Sequence, residues 1–178
     1  MRDFSLHIMD VAENGLDAGA NLIRITVKEE HDEDRLLITI ADNGRGIPKE
    51  KIDQILDPFY TTRTTRRVGL GLSLFREASR RCDGDFKVNS EVGLGTEVTA
   101  TFQLSHIDLP PMGDMAGTMA ALIAGNPDAD FVYTHEVDGN RFELDTREIR
   151  EELEDVPLHH PEVIRYVTQT IREFLSAG

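Results

Sequence analysis

Two polar side chains on the first amphipathic segment have the types and the spacing to share a reaction site. Asp10 and Asn14 are four residues apart, so on a helix they lie one turn apart on the same face. A carboxylate can act as a general base toward a group within hydrogen-bond reach, and an amide oxygen is a hard ligand that suits Mg²⁺. The spacing predicts that both side chains reach one site. The alternative for Asn14 is a helix C-cap beside Gly15.

Two later segments combine glycines with positions that suit ligand binding. Asp42-Asn-Gly44-Arg-Gly46-Ile47 follows a hydrophobic run, so the Asp42 carboxylate stands at a predicted strand end and can accept a hydrogen bond from a ligand amine. Gly44 and Gly46 lack a Cβ, which permits close approach of a ligand and a positive φ. The segment Gly69-Leu70-Gly71-Leu72 begins a predicted helix, whose unpaired N–H groups attract anions. Together these segments predict a phosphate site without a P-loop lysine.

Charge and composition narrow the class of ligand. Residues 57–81 carry six arginines against two acidic residues, whereas the whole chain of 178 residues has a net charge of -14. This contrast predicts a polyanionic ligand on the arginine-rich face, while the overall acidity disfavours nucleic acid and anionic membranes. No apolar run approaches the length of a membrane span. One cysteine, Cys82, permits no intramolecular disulfide, so we expect a cytoplasmic protein.

Periodicity predicts an α/β fold for the first part of the chain. Helical spacing and β-rich runs alternate with hairpin turns, which indicates a two-layer α/β sandwich with a mixed sheet. The predicted helices span residues 3–17, 49–56 and 70–81, and the predicted strands span residues 22–28, 35–41, 85–89 and 96–104.

A change of composition near residue 106 predicts a second unit. Residues 106–113 contain Asp108-Leu-Pro-Pro111 and are expected to form a linker between a domain at residues 1–105 and a small α/β extension at residues 114–178. The extension is predicted to contain helices at 114–124, 146–153 and 161–175 and a hairpin formed by 131–137 and 141–144. Its apolar helix faces can pack internally or dock a partner, and internal packing is preferred.

Five segments in one order resemble the nucleotide-binding boxes of the gyrase, chaperone, histidine kinase and mismatch-repair ATPase superfamily. They are the Asp10–Ala20 segment, the Asp42–Ile47 segment, Asp57-Pro-Phe59-Tyr-Thr-Thr62, Gly69-Leu-Gly71-Leu-Ser, and Gly93-Leu-Gly95-Thr96. The resemblance covers roughly residues 3–104 and implies a Bergerat-type fold that binds ATP with Mg²⁺. The asparagine box looks most like mismatch-repair ATPases, and the later boxes look most like histidine kinases.

The resemblance implies a role for individual positions. It assigns the magnesium ligand to Asn14, the adenine-amine acceptor to Asp42, and the catalytic position to Asp10, where many relatives carry a longer glutamate. A preference for ATP over GTP follows, since guanine lacks that amine donor. The remaining nucleotide contacts implied are Gly44, Gly46, Ile47, Phe59, Thr62, Arg63, Gly69, Leu70, Gly71, Leu72 and Thr96.

Structural explanations compete with several of these roles. Phe59 can be a core aromatic that fixes the base of the lid, and Thr96 suits a strand because it is β-branched. The adjacent His159 and His160 precede a proline without an evident third ligand, so a surface location is preferred to a metal site.

The sequence leaves three functions open. The first is a kinase that transfers the γ-phosphoryl group to a separate regulatory protein, as the resemblance to stand-alone anti-sigma kinases implies. The second is a slow ATP hydrolase, and the third is an ATP sensor that controls a partner without turnover. A DNA-coupled ATPase is disfavoured because an acidic extension follows the domain, and a homodimer is an open possibility.

Overall fold

The structure is a computed structural model that describes residues 2–57 and 66–177, without the side chains of residues 66–69. Its helices are α1 (Phe4–Asp17), α2 (Lys49–Leu56), α3 (Arg66–Arg81), α4 (Met115–Gly125), α5 (Thr146–Leu153) and α6 (Pro161–Ala177). Its strands are β1 (Leu22–Glu30), β2 (Arg35–Asp42), β3 (Phe86–Glu91), β4 (Gly95–Gln103), β5 (Asp130–Val137) and β6 (Asn140–Asp145).

Six strands form one mixed sheet in the order β3-β4-β2-β1-β5-β6. All neighbours are antiparallel except β1 and β5, which run parallel. In β1, the alternating residues Ile23, Ile25 and Val27 are fully buried, which is the period-2 pattern of a strand with one face on the core. The register of β2 and β4 sets Asp42 opposite Thr96 at one end of the sheet.

Helix α1 begins at a capped N-terminus that is also hydrogen-bonded to the segment before α4. An oxygen of Asp3 accepts a hydrogen bond from Leu6 N at 2.9 Å, as an N-cap side chain does. Phe4 N and Ser5 N donate to the carbonyls of Pro111 and Met112 at 2.9 Å each. The start of α1 is therefore fixed by the segment that leads into α4.

The predicted α/β sandwich with a mixed sheet is confirmed. Helix α2 and helix α5 have the predicted bounds, and most other element ends differ by one or two residues. Helix α3 is the exception, because it begins at Arg66 and not at Leu70. Arginine is a good helix former, so the helix extends past Gly69, although a glycine within a helix costs about 1 kcal/mol.

The C-terminal segment continues the same sheet. Its strand β5 lies beside β1, and its apolar residues belong to one hydrophobic cluster with those of the N-terminal half. The apolar faces of its helices pack internally as preferred, with Met115, Met119, Ile123, Val167 and Ile171 fully buried.

Candidate functional site

Helices α1 and α3 approach each other closely at a glycine. A Cβ placed on Gly71 would lie 3.4 Å from Asp10 Cβ and 3.7 Å from Asn14 Nδ2. The glycine therefore leaves room beside both polar side chains of α1. Asp10, Asn14, Leu70 and Gly71 line one cavity of about 260 Å³ together with Arg2 and other neighbours. The structure thus brings together Asp10 and Asn14, as their spacing predicts.

Asn14 has an unsatisfied side chain at this cavity. Its Nδ2 is buried and has no hydrogen-bond partner among the described residues. Helix α1 ends at Asp17 with Ala18 as C-cap, so the alternative in which Asn14 caps the helix is wrong. A buried amide without a partner is unfavourable. Rotating the amide by 180° would place its oxygen where Nδ2 now lies. An amide oxygen is a ligand that suits Mg²⁺, so Asn14 fits the implied metal.

Asp42 forms a second polar position next to Gly15 of α1. Its Oδ1 accepts a hydrogen bond from Gly44 N at 2.8 Å. Burial raises the pKa of the Asp42 carboxyl above its usual range, and hydrogen bonds from the backbone of Gly44 and Thr96 oppose that shift. A Cβ on Gly15 would lie 2.8 Å from Asp42 Cβ, so α1 can approach the carboxylate only because residue 15 is glycine.

The loop after Asp42 is held by backbone hydrogen bonds on both sides. Arg45 N donates to Ala18 O at 2.9 Å, and Gly93 N donates to Arg45 O at 2.8 Å. Asn43 Oδ1 accepts hydrogen bonds from Asn21 N at 2.9 Å and Leu22 N at 3.1 Å. The loop is consequently joined to the start of β1 and to the β3–β4 turn.

The two loop glycines have different reasons to be glycine. Gly46 has φ 78°, and a Cβ there would lie 2.2 Å from Glu91 O. Gly44 was expected to share the positive φ, which is wrong, since Gly44 is absent from the positive-φ residues of the described chain. Its constraint is close packing, because a Cβ at Gly44 would lie 3.0 Å from Ala18 Cβ and from Asp42 Oδ1.

Ser90 connects this loop to β4, and the sequence analysis did not identify it. Its Oγ accepts from Ile47 N at 2.7 Å and donates to Gly95 O at 3.0 Å. Because Ser90 gives its one proton to Gly95, the Thr96 hydroxyl donates to Ser90 Oγ at 2.7 Å. Thr96 Oγ1 keeps its lone pairs for a ligand or a water. Only the β3–β4 register, which sets Ser90 opposite Thr96, could have indicated this contact.

The glycine-rich segment Gly69–Leu72 lies inside α3, whereas it was predicted to form the start of that helix. Since α3 begins at Arg66, its free N–H groups belong to residues 66–69, and Gly71 lies within the helical hydrogen-bond ladder. The prediction that this segment opens the helix is therefore wrong, and contact of Gly69–Leu72 with phosphate stays a prediction. Leu72 is buried, whereas Leu70 is about half exposed beside the cavity. The predicted contacts Phe59, Thr62 and Arg63 lie outside the described residues.

Arg2 is a second residue that the sequence analysis did not identify. Its guanidinium forms an ion pair with Asp10 Oδ2, and its side chain lines the same cavity. An arginine near a chain terminus carries no sequence signal for such a contact. The pair places a positive charge beside the predicted catalytic carboxylate.

Acidic and histidine side chains elsewhere do not form a metal site. Within residues 2–57 and 66–177, no group of three His, Cys, Asp or Glu side chains could hold a metal ion. His160 Nδ1 accepts a hydrogen bond from Glu162 N at 3.1 Å at the start of α6. Across the same residues, no helix combines the length and hydropathy needed to traverse a bilayer.

Sequence comparison identifies relatives among sensor kinases. Sporulation kinase D of Bacillus subtilis (strain 168) is 35% identical over 98 residues, which is 55% of this chain and 19% of that protein. Sensor protein kinase WalK of Staphylococcus haemolyticus (strain JCSC1435) is 36% identical over 95 residues, 51% of this chain and 16% of that protein. The match thus covers less than a fifth of each relative.

Structure comparison and a family profile agree on the fold. The Aquifex aeolicus MutL ATPase domain complexed with ADP superposes with a TM-score of 0.54 over 86% of this chain and 68% of that chain, at 17% identity. At this low identity, the superposition shows a common fold and nothing beyond it. The profile described as histidine kinase-, DNA gyrase B-, and HSP90-like ATPase matches residues 3–106, more than half of the sequence. The chain therefore belongs to the histidine kinase-, DNA gyrase B-, and HSP90-like ATPase family.

Proposed function

We propose that this protein binds ATP with Mg²⁺ between α1, the Asp42 loop and α3, and transfers the γ-phosphoryl group to a separate regulatory protein. The observation that carries the proposal is the half-buried Asp42 carboxylate, which accepts hydrogen bonds from the backbone of Gly44 and Thr96 at the end of β2. This carboxylate can accept a hydrogen bond from a ligand. The chain that carries it belongs to a family of ATPases. Asn14 directly precedes Gly15, which packs against this carboxylate.

Asp42 provides the basis for adenine selectivity. One carboxylate oxygen is occupied by Gly44 N, and the carboxylate retains acceptor capacity for an exocyclic amine. Guanine presents a carbonyl at the corresponding position, which would face the carboxylate without a hydrogen. A site that recognises an amine in this way rejects the ligand that lacks it, because the buried polar group would stay unpaired. The proposed site prefers ATP to GTP for this reason.

Asn14 and Asp10 provide the polar groups of the proposed phosphate end. The buried Nδ2 of Asn14 has no hydrogen-bond partner among the described residues, and the amide oxygen is a donor that suits Mg²⁺. A bound Mg²⁺ would neutralise negative charge on the phosphates. Asp10 lies one helical turn away and lines the same cavity, as Glu13 also does, and we assign to Asp10 the role of accepting a proton from an attacking group. Arg2 forms an ion pair with Asp10 and places a positive charge beside the cavity.

Transfer to a protein is preferred because the sequence relatives are kinases. Both relatives named above are described as kinases. We propose that the acceptor is a separate protein and that residues 114–178 provide an interaction module next to the nucleotide-binding unit at residues 1–105. The second candidate is a slow ATP hydrolase, which the likeness of 86% of the chain to the MutL ATPase domain favours.

Phosphate release and label transfer separate these functions. The purified chain is incubated with γ-labelled ATP alone and with fractionated bacterial extract, and free phosphate and labelled protein are measured. The kinase predicts little free phosphate without extract and a labelled protein that is absent with Asn14→Ala. The hydrolase predicts phosphate release without extract that is lost in Asp10→Asn. Neither product, together with intact ATP binding, would contradict phosphoryl transfer and favour a sensor.

A further inference from the structure

A groove with an apolar floor lies on the C-terminal segment and shares no lining residue with the candidate nucleotide cavity. It is enclosed by the end of β6, helix α5 and the first turns of α6, and its volume is about 490 Å³. Its floor includes Leu144, Ile149 and Val163, which are buried or half-buried. At its rim Val156 is 38% exposed and Tyr166 is 57% exposed. Exposed apolar side chains around a cavity are a common sign of an interaction site.

The rim of this groove is acidic. Glu148 and Glu152 lie four residues apart on α5 and are both exposed, so their like charges share one helix face and repel. Three other acidic residues line the groove, and each forms a salt bridge with an arginine on the same element or the next one. They are Glu143, Asp145 and Glu162. No such ion pair with Glu148 or Glu152 occurs in the described part of the chain, and no lysine or arginine lines the groove there.

We propose that this groove docks a short amphipathic segment of a partner protein, with apolar side chains on the floor and Lys or Arg side chains against Glu148 and Glu152. Charge complementarity selects this occupant, because an apolar floor is bordered by two exposed carboxylates, Glu148 and Glu152, that form no ion pair within the described residues. A second copy of the chain is disfavoured, since each copy carries a net charge of -14.

The position of the groove permits docking and nucleotide binding at the same time. Strand β6 lies three strand spacings from β2, which carries Asp42. At the usual spacing of strands this is about 14 Å across the sheet. A segment in the groove would therefore hold a partner beside the nucleotide site without covering Asp42. This inference rests on the proposed function for the identity of the partner as a regulatory protein.

A pair of designed peptides tests the proposal on the full chain. One is a fluorescent amphipathic Leu/Lys helix of about 14 residues, and the other is its Leu/Glu counterpart. Binding is measured by fluorescence anisotropy at low and high salt, and the bound surface is located by amide chemical shifts. We expect the Leu/Lys peptide to bind, with shifts concentrated in residues 143–166. We expect no binding of the Leu/Glu peptide.

Charge-reversal variants separate the groove from general attraction to an acidic protein. The double variant Glu148→Lys/Glu152→Lys is expected to weaken binding by about tenfold or more. Glu151→Lys is the single-site control, because Glu151 is exposed on the same helix and does not line the groove; a Glu151→Lys/Glu154→Lys pair matches the double variant in charge. Circular dichroism melting verifies that each variant is folded. ATP binding should be unchanged in these variants, whereas Asn14→Ala should lose ATP and retain the peptide.

Several results would overturn the proposal. Equal weakening by the groove pair and the control pair would show non-specific attraction. Binding of both peptides, or of neither, would remove the argument from charge complementarity. A concentration-dependent dimer in sedimentation that is lost in Val156→Asp would show that a second copy occupies the groove. Failure of ATP binding with intact peptide binding would contradict the proposed function and leave the groove assignment standing.

Discussion

At the scale of single residues, the ionised carboxylate of Asp42 lowers the stability of the folded state because it is partly buried. Burial raises the pKa of its carboxyl, so the folded protein prefers the protonated form more strongly than the unfolded chain does. Between the usual pKa and the raised one, the folded state binds more protons. Stability therefore falls as pH rises through this window, and the loss persists at neutral pH.

The first prediction concerns replacement of this carboxylate. Asp42→Asn retains an oxygen that can accept from Gly44 N and removes the ionisation, so we expect the variant to melt at or above the wild-type temperature at pH 7. The difference should shrink as pH falls toward the usual carboxyl range. Thermal unfolding from pH 4 to pH 8 measures this.

Asp138 serves as a control, because its carboxyl pKa is shifted in the opposite direction to that of Asp42. Hydrogen bonds from His31 lower the pKa of the Asp138 carboxyl, so Asp138→Asn should reduce stability above the usual carboxyl pKa and converge with the wild type in acid. An Asp42→Asn variant that melts below the wild type at neutral pH, with the difference vanishing in acid, would contradict the assigned direction.

The second prediction concerns His7, which is buried next to Phe75. Burial lowers the pKa of His7 to about 4, its ring stacks on Phe75 at 5.1 Å, and Nδ1 has no hydrogen-bond partner among the described residues. The unfolded chain gains a proton at a higher pH, so stability falls as pH decreases from about 6.5 toward 4. His7→Phe should remove this loss.

The effect of His7 can be measured by denaturant unfolding at two pH values. Relative to the wild type, His7→Phe should gain roughly 1 kcal/mol more in free energy of unfolding at pH 5.5 than at pH 7.5. His159→Phe provides the comparison at an exposed histidine. Equal gains at the two pH values would show that the change acts by packing alone.

The sequence predicted single residues where their type and spacing were sufficient. Asp10 and Asn14 face one cavity because helical spacing dictates it. Ser90 could not be found this way, because its role depends on lying opposite Thr96 across a hairpin. Arg2 likewise acquires its contact with Asp10 only from the path of the chain into α1.

At the scale of elements, the loop after β2 is constrained by its neighbours more than by its own sequence. The loop contacts the end of α1, the start of β1 and the β3–β4 turn. Glycine is required at position 46 for two separate reasons, a positive φ and the proximity of Glu91 O. Gly93 has a similar φ of 88°, and nothing lies within 4 Å of a Cβ placed there.

The third prediction uses this pair of glycines. Gly93→Ala should cost about 1 kcal/mol in free energy of unfolding through its φ alone and should retain ATP affinity. Gly46→Ala adds a clash with the backbone and should cost about 3 kcal/mol or more while weakening ATP binding. Chemical denaturation and calorimetry measure the two effects. Similar costs for both variants, with ATP affinity retained, would contradict the steric role of Gly46.

Element boundaries were predictable where local signals were strong. Asp3 caps α1, and the turns at the ends of the strands are marked by glycine and aspartate. The start of α3 was not predictable, because Gly69 and Gly71 suggest a helix end and the preceding arginines favour helix. Two local preferences of opposite sign left the boundary undetermined.

At the scale of the whole molecule, the C-terminal segment completes the sheet. Its pairing of β5 with β1 joins residues that are more than 100 positions apart. Local periodicity predicts that each strand exists but not which strands are neighbours, so the sequence could indicate an extension and not its place in the sheet.

The fourth prediction follows from this continuity. A chain shortened to residues 1–105 loses β5 from the edge of β1 and loses the contacts of Phe4 and Ser5 with residues 111–112. We expect it to lose several kcal/mol of stability and to aggregate, since a buried apolar face and a strand edge become exposed. A soluble fragment with a cooperative melt and wild-type ATP affinity would instead support two independent units.

Isothermal titration calorimetry measures whether this protein binds ATP, as its family and its candidate site predict. The wild type is titrated with ATP and GTP, with Mg²⁺ and with EDTA, and the ATP titration is repeated on Asp42→Asn and Asn14→Ala. We predict adenine-selective binding that requires Mg²⁺ and is abolished both in Asp42→Asn and in Asn14→Ala. No binding of ATP by the folded wild type, or equal binding of GTP, would contradict it.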